Sequence, residues 1–279
     1  MNPFFIIGNP RSGTSLLRLM LNNHPQITVP PECGFALWWA EKYQNMTTYN
    51  NSVYLEFAKD VFKSKKFETW GITKNDVLET LISQQPNNYV GLVNSVYFSY
   101  SRFKKKKSSL FGDKNNYYIS CLESLKSNFP DSKMLFIMRD GRDVACSYRE
   151  VNLKCIQSVY KPKLPKTISD IANEWSLNSK QILKFQTLNS LTVRYEDIVQ
   201  EPKIYLNKIC KFLDVDYSEQ MLLFYKNNDE PEDFIQWKEK TQKNLDARSV
   251  GRYVKELTIE EQETFLKFAG SMLKRFSYI

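Results

Sequence analysis

The stretch Gly8–Ser15, GNPRSGTS, falls one residue short of the phosphate-loop pattern G-x-x-x-x-G-K-[ST], because Thr14 stands where the pattern has lysine. Gly8 and Gly13 permit a tight turn whose backbone N–H groups face an anion, and Arg11 puts a cation inside the turn. Upstream, Phe4–Ile7 is a continuous apolar run that reads as a strand buried on both faces. Downstream, Leu16, Leu17, Met20 and Leu21 recur at helical spacing, and Pro25 discourages helix at His24. Strand, glycine-bounded loop and helix together form the setting a phosphate loop requires, and Thr14 and Ser15 add hydroxyl donors at the positive end of the helix. Two readings follow: a damaged triphosphate site, or a different phosphate site on the same scaffold.

Residues from about Phe35 to Phe103 look helical, with stripes at Tyr54, Phe57 and Val61, at Val77, Leu78 and Leu81, and at Val93, Val96, Tyr97 and Tyr100. Leu110-Phe111 then reads as a short strand leading into Gly112-Asp113-Lys114, and Met134–Met138 as a buried strand followed by RDGRD. Helices are expected from about Asp170 to Phe185, from Glu201 to Leu213 and from Thr258 to Lys274, with a strand at Leu191–Val193. Thr258 and Glu261 have capping-box spacing. Alternating strands and helices imply an α/β fold, a parallel sheet flanked by helices. The expected organisation is one domain over residues 1–279, with the helical segment of about 35–107 inserted after the first strand–helix unit and available for binding an acceptor.

The 279 residues carry a formal charge of +8 and are 42% hydrophobic, so a sizeable core and an anionic partner are expected. The five cysteines are scattered, with no C-x-x-C pair, which argues against a disulfide framework or a zinc site and for a reducing cytoplasm. No secretory leader or membrane-length apolar run is visible. Lys104–Lys107 reads by default as a solvated run, or else as a patch for an acidic acceptor or anionic lipid.

Arg139 follows the Met134–Met138 strand, and ligands in open α/β sheets sit off the carboxyl ends of strands. With a helix starting near Asp140, Ser147 lies about two turns along it, so Arg139 and Ser147 can share a second phosphate. The plain alternative for Arg139 is a salt bridge to Asp140 or Asp143.

In order, PRSGTSLLRLMLNNHP, FGDK, LFIMRDGRDVACSY, VRYEDIVQEP and SVGRY resemble a sulfotransferase that uses 3′-phosphoadenosine-5′-phosphosulfate (PAPS), within the branch that includes protein-tyrosine sulfotransferases and many bacterial enzymes. The resemblance implies the sulfotransferase version of the phosphate-loop NTPase-like fold, PAPS as co-substrate, adenosine 3′,5′-bisphosphate (PAP) as product and no metal. It assigns the 5′-phosphosulfate to Arg11, Ser12, Gly13, Thr14 and Ser15, and the 3′-phosphate to Arg139 and Ser147. It brings Tyr195 to the adenosine end and closes Arg248, Ser249 and Arg252 over the cofactor. Lys114 of FGDK matches a lysine that stabilises the leaving group, although Asn115 and Asn116 follow it where many relatives have threonine-proline. The missing loop lysine then has a physical reading: a sulfuryl group carries less negative charge than a phosphoryl group and needs no divalent metal.

Transfer to a hydroxyl needs a proton acceptor, and the single histidine, His24, reads as a helix terminator. Glu32, twenty-one residues after Arg11 and fixed by Pro30 and Pro31, matches the catalytic glutamate of the tyrosine-sulfating branch. Arg11, Glu32 and Lys114 are therefore the expected catalytic group. Phe35, Trp38, Trp39 and Tyr43 could line an acceptor pocket or pack in the core. The acceptor is a hydroxyl compound, whether peptide tyrosine, glycan, lipid or small molecule; nucleic acid is not expected. The rival readings are a metal-dependent phosphate-loop kinase, which lacks its lysine, and a non-catalytic nucleic-acid-binding module, which lacks a basic–aromatic motif.

Overall fold

Five strands, β1 (Phe4–Gly8), β2 (Ile27–Thr28), β3 (Leu110–Lys114), β4 (Met134–Met138) and β5 (Ser190–Arg194), form a sheet in the order β2-β3-β1-β4-β5. Every neighbouring pair is parallel. The computed structural model describes residues 2–279. The apolar runs of β1 and β4 are buried throughout because both faces of the sheet are covered. Phe5, Ile7, Phe136 and Met138 face one core with Trp175 and Phe265; Phe4, Ile6, Leu135 and Ile137 face the other with Leu17, Leu21 and Ile198. This alternation is the period of two that a strand imposes.

The longer helices are α1 (Thr14–Asn22), α2 (Asn51–Val61), α3 (Lys74–Gln84), α4 (Tyr89–Phe103), α5 (Gly141–Leu153), α6 (Ile168–Lys184), α7 (Pro202–Phe212) and α8 (Ile259–Arg275). Their starts follow capping chemistry. Asn50 accepts from the N–H of Ser52 and Val53, Asn88 from Gly91, and Thr73–Asp76 and Thr258–Glu261 form capping boxes. The expected helical segment is interrupted: one-turn helices at Phe35–Trp38 and Ala40–Tyr43 precede α2, and a 3₁₀ turn at Phe67–Trp70 separates α2 from α3. The hydroxyls of Tyr97 and Tyr118 donate to Asp113 Oδ2 at 2.7 and 2.6 Å, which ties α4 to β3 one residue before Lys114.

Lys104–Lys107 is not uniformly solvated. Lys106 folds back, and its ammonium donates to the carbonyls of Asn22 and Ile27. Burial lowers its pKa to about 8. The run holds the end of α1 against the start of β2. Sequence patterning misses this because the acceptors are backbone atoms distant in the chain.

Arg18, on α1, is fully buried. Its Nη1 donates to Val29 O at 3.0 Å, and its Nη2 meets Asp229 Oδ1 at 2.8 Å and Glu230 Oε2 at 2.9 Å. Asp229 Oδ2 also accepts from Asn22 Nδ2 and Tyr100 Oη, both at 2.8 Å, and Lys238 closes the chain onto Glu230. These charges fasten the segment around residues 229–241 to the first helix. Replacing Arg18 by methionine leaves Asp229 without an ion pair and Glu230 with Lys238 alone among the described residues, and Arg18→Met should lower unfolding stability by about 3 kcal/mol. Urea denaturation checks this; an unchanged midpoint would show that the pair carries no structural weight.

Candidate functional site

The candidate site residues follow the carboxyl ends of the parallel strands. Arg11–Ser15 follow β1, Glu32 follows β2, Lys114 ends β3, Arg139 follows β4 and Tyr195 follows β5. They meet at one cavity of about 470 Å³. Seven cationic side chains line it, Arg11, Lys66, Lys114, Arg139, Lys163, Lys238 and Lys240, against the carboxylates of Glu32 and Asp246. An excess of that size suits a ligand with several negative charges.

The loop turns as its glycines require. A Cβ at Gly8 would lie 2.5 Å from Ile137 O, and Gly13, at φ 96°, would put one 2.5 Å from Tyr195 Cδ2. Arg11 also takes a left-handed conformation, φ 67°, which a non-glycine residue adopts at a cost and which aims its side chain back across the loop. Arg11 Nε donates to Ser147 Oγ at 3.1 Å. Burial and the neighbouring Arg139 lower the Arg11 pKa to about 10. Arg139 does not pair with an adjacent aspartate: Asp140 bridges to Arg142, and Asp143 accepts from the N–H of Gly251 and Tyr253. Arg139 instead donates to Arg11 O at 3.2 Å and Ser249 O at 2.7 Å, and its guanidinium lies over the Tyr195 ring at 4.6 Å. Ser147 lies on the second turn of α5, which Asp140 caps. Ser12 is buried behind the loop, Thr14 and Ser15 line the cavity, and Thr14 Oγ1 bonds Asn116 Oδ1 at 3.0 Å. Asn116, the departure from threonine-proline, thus ties the end of β3 to the loop.

At the other side of the cavity the two oxygens of Glu32 are divided between two lysines. Lys114 Nζ lies 2.6 Å from Oε2 and Lys66 Nζ 2.6 Å from Oε1. Burial alone would raise the Glu32 pKa, but Lys114, Lys66 and Lys238 hold it well below the usual carboxylate range. Trp70 Nε1 donates to Pro31 O at 2.9 Å and fixes the chain just ahead of it.

A model of the sulfotransferase family matches residues 3–219. The chain belongs to the sulfotransferase family. It is 28% identical over 221 residues to protein-tyrosine sulfotransferase 2 of Gallus gallus, a match that covers 78% of this chain and 52% of the relative. The chain thus matches about half the length of that relative. The sulfotransferase domain of the Synechococcus PCC 7002 olefin synthase has the same fold, with a TM-score of 0.62 at 21% identity over 100% of this chain and 95% of that one. A mouse sulfotransferase complexed with PAP superposes with a TM-score of 0.52 at 14% identity, covering 98% and 84% of the two chains. Family membership decides for a sulfotransferase over the phosphoryl-transferring kinase reading.

In this sulfotransferase the basic segment before α8 divides. Ser249 lines the main cavity and accepts from Lys240 Nζ at 3.1 Å. Arg248, largely exposed beside Asp246, and Arg252, held by Glu150 and Glu256, both line an adjoining cleft of about 410 Å³ that shares Arg11, Trp237, Lys240, Asp246 and Ser249 with the first. His24 lies off the cavity: its Nδ1 accepts from Gln26 N–H and its Nε2 donates to Asp216 O at 2.7 Å. Phe35 and Tyr43 are core residues, Trp39 donates to Ser64 Oγ, and none of the four aromatic residues after Glu32 lines the cavity. Sequence reasoning missed Lys66, Lys238 and Lys240. Each sits in a segment rich in charge and free of motif, so only the folded chain selects them. No helix among the described residues is long and apolar enough to cross a membrane.

Glu230, which pairs with the cavity-lining Lys238, contributes to the acid-side behaviour of the fold. Burial opposes its ionisation, but Lys238, Arg18 and Lys114 lower its pKa to about 2. Its ion pairs therefore stabilise the fold fully above the unfolded value of about 4.3, and that contribution is lost as pH falls toward the folded value. Glu230→Gln should flatten the loss of stability between those two pH values. Thermal melts across the range check this, and wild-type steepness in the variant would locate the acid sensitivity elsewhere.

Proposed function

We propose that the chain transfers the sulfuryl group of PAPS to an acceptor hydroxyl, releasing PAP and a sulfate ester, with Glu32 as general base. The observation that carries this reading is the pairing of two anion sites with one carboxylate around a single cavity: Arg11, Ser147 and Arg139 at one end, Lys114 and Glu32 at the other. The donor set fits a doubly phosphorylated ligand. Arg139 Nε is buried without a hydrogen-bond partner among the described residues, leaving a guanidinium N–H for an anionic oxygen. The mouse neighbour's PAP supports the same ligand class here.

The bound donor supplies a sulfuryl group whose bond to the phosphate oxygen breaks as the acceptor oxygen attaches in line. The loop N–H groups, Thr14 and Ser15 hold the 5′ end, and Arg139 with Ser147 holds the 3′-phosphate. Tyr195, packed on Gly13 and under Arg139, sets the adenosine end. Lys114 is shared. The ammonium that holds Glu32 Oε2 is the cation that stabilises charge on the leaving oxygen, so an anion arriving there draws Lys114 away and restores the basicity of Glu32. Glu32 then takes the proton of the acceptor hydroxyl. Tyr160, Phe234 and Trp237 form an aromatic wall suited to the apolar body of an acceptor. Residues 1–279 act as one domain, with Lys66 supplied by the helical segment of about 35–107. The free thiols of Cys33, Cys146 and Cys210, buried as small apolar groups, support work in a reducing compartment such as the cytoplasm.

Calorimetry should show PAP binding in EDTA, and Arg139→Ala should weaken that binding about ten- to hundred-fold, the worth of charge-assisted hydrogen bonds. Binding that appears only with magnesium, or that ignores Arg139, would overturn the cofactor assignment. Glu32→Gln should lower kcat by about a hundred-fold or more while leaving PAP affinity within a few-fold. Wild-type turnover in that variant removes Glu32 from the mechanism.

A further inference from the structure

Lys66 arrives at the cavity by an unusual route. It comes from none of the strand ends but from the turn between α2 and the Phe67–Trp70 3₁₀ turn, within the helical segment. Its backbone is left-handed, φ 75°, a conformation that lysine has no intrinsic reason to adopt. The surroundings over-determine it. Lys66 O accepts from both the N–H and the hydroxyl of Thr69, at 3.1 and 2.7 Å. Two further bonds stitch this turn to the chain on either side of Glu32: Trp70 Nε1 to Pro31 O at 2.9 Å, and Cys33 Sγ to Lys65 O at 3.5 Å. Phe234 lies under the ammonium, 5.4 Å from Nζ. A strained backbone retained at the wall of a reactive cavity is a place to look for function.

From this geometry we propose that Lys66 is a positioning residue for Glu32, holding Oε1 so that Oε2 alone turns between Lys114 and the acceptor hydroxyl. The proposal rests on Glu32 being the base. Each carboxylate oxygen has its own lysine. Lys114 is the one that a phosphosulfate draws away, so without Lys66 the carboxylate would lose both anchors at the moment of reaction and rotate freely. With Lys66 in place, the lone pair released by Lys114 stays directed into the cavity, where the proton of the hydroxyl passes to Oε2.

Lys66 also sets where Glu32 titrates. The charged groups facing Glu32 are Lys114 from β3, Lys66 from the turn and Lys238 from the segment after Glu230, with Asp113 beside Lys114 as a like charge. When anionic ligand offsets Lys114, Lys66 and Lys238 remain to keep Glu32 ionised. Removing the Lys66 ammonium therefore raises the Glu32 pKa, and the acid limb of kcat moves to higher pH.

Lys66→Gly tests this without threatening the fold, because glycine takes φ 75° with no steric penalty. Relief of the left-handed backbone offsets the lost ion pair, and Lys114 still pairs with Glu32, so the variant should keep a melting midpoint near wild type and PAP affinity within a few-fold. Its kcat should fall about ten-fold or more, and its acid limb should move to higher pH. Lys66→Arg should restore the limb. An unmoved limb or unchanged kcat in Lys66→Gly, with Glu32→Gln inactive, overturns the positioning role alone. A loss of activity that tracks a lowered melting midpoint, with no pH shift, also overturns it by showing a structural part only. Wild-type turnover in Glu32→Gln overturns the base assignment itself, and this proposal with it.

Discussion

Parallel pairing of β1 with both β3 and β4 is the constraint on which the rest depends. Ile6 stands opposite Lys114 on one side and Leu135 on the other, and Gly8 stands opposite Ile137. Because all five strands run the same way, their carboxyl ends share one edge, and chain segments that are distant in sequence deliver cations, hydroxyls and a carboxylate to one cavity. The pairing tolerates little slippage. A shift of one residue would turn Lys114 to the opposite face and exchange it with Asp113, which Tyr97 and Tyr118 hold. Close packing reinforces the register, since Gly8 admits no side chain against Ile137 O.

The second organising force is the handling of buried charge. Arg18 and Lys238 bracket Glu230, and Lys66 and Lys114 bracket Glu32, so opposite charges alternate from the first helix to the cavity wall. Each ion is costly to bury alone, and the alternation keeps any one of them from being unpaired. Arg139 is different: its partners are backbone carbonyls and an aromatic face, which orient the guanidinium without neutralising it. Its charge is therefore left without a carboxylate partner among the described residues, while that of Lys114 is paired with Glu32.

How much of this was legible in the sequence depended on whether the determining contacts are local. The β1 loop, the β4 strand, the capping of α8 and the placement of Arg139 and Ser147 follow from patterns within a few residues, and the fold agrees with them. Lys114 and Glu32 could be singled out by position within a familiar order of motifs, but their mutual contact could not. Lys66 was invisible, because its meaning comes from two hydrogen bonds that join residues 65–70 to residues 31–33. Lys106 was misread for the same reason: four consecutive lysines look solvated until the carbonyls of Asn22 and Ile27 are found facing one of them. Arg248 and Arg252 show the opposite limit, since a basic stretch does not reveal which of its members local carboxylates will claim.

The ties of Arg18 to Asp229 and Glu230 span more than two hundred residues, and that separation bears on how the chain is made. During synthesis, β1, the loop and α1 emerge well before residues 229 and 230, and the sheet can begin to assemble once β3 and β4 follow. Yet α1 then carries a guanidinium destined for a dry interior while its counterions are still unmade. Until they emerge, burying that face of the helix is opposed by its own charge. The final packing of the first helix thus depends on residues made more than two hundred positions later, in the same segment that brings Lys238 and Lys240 to the cavity.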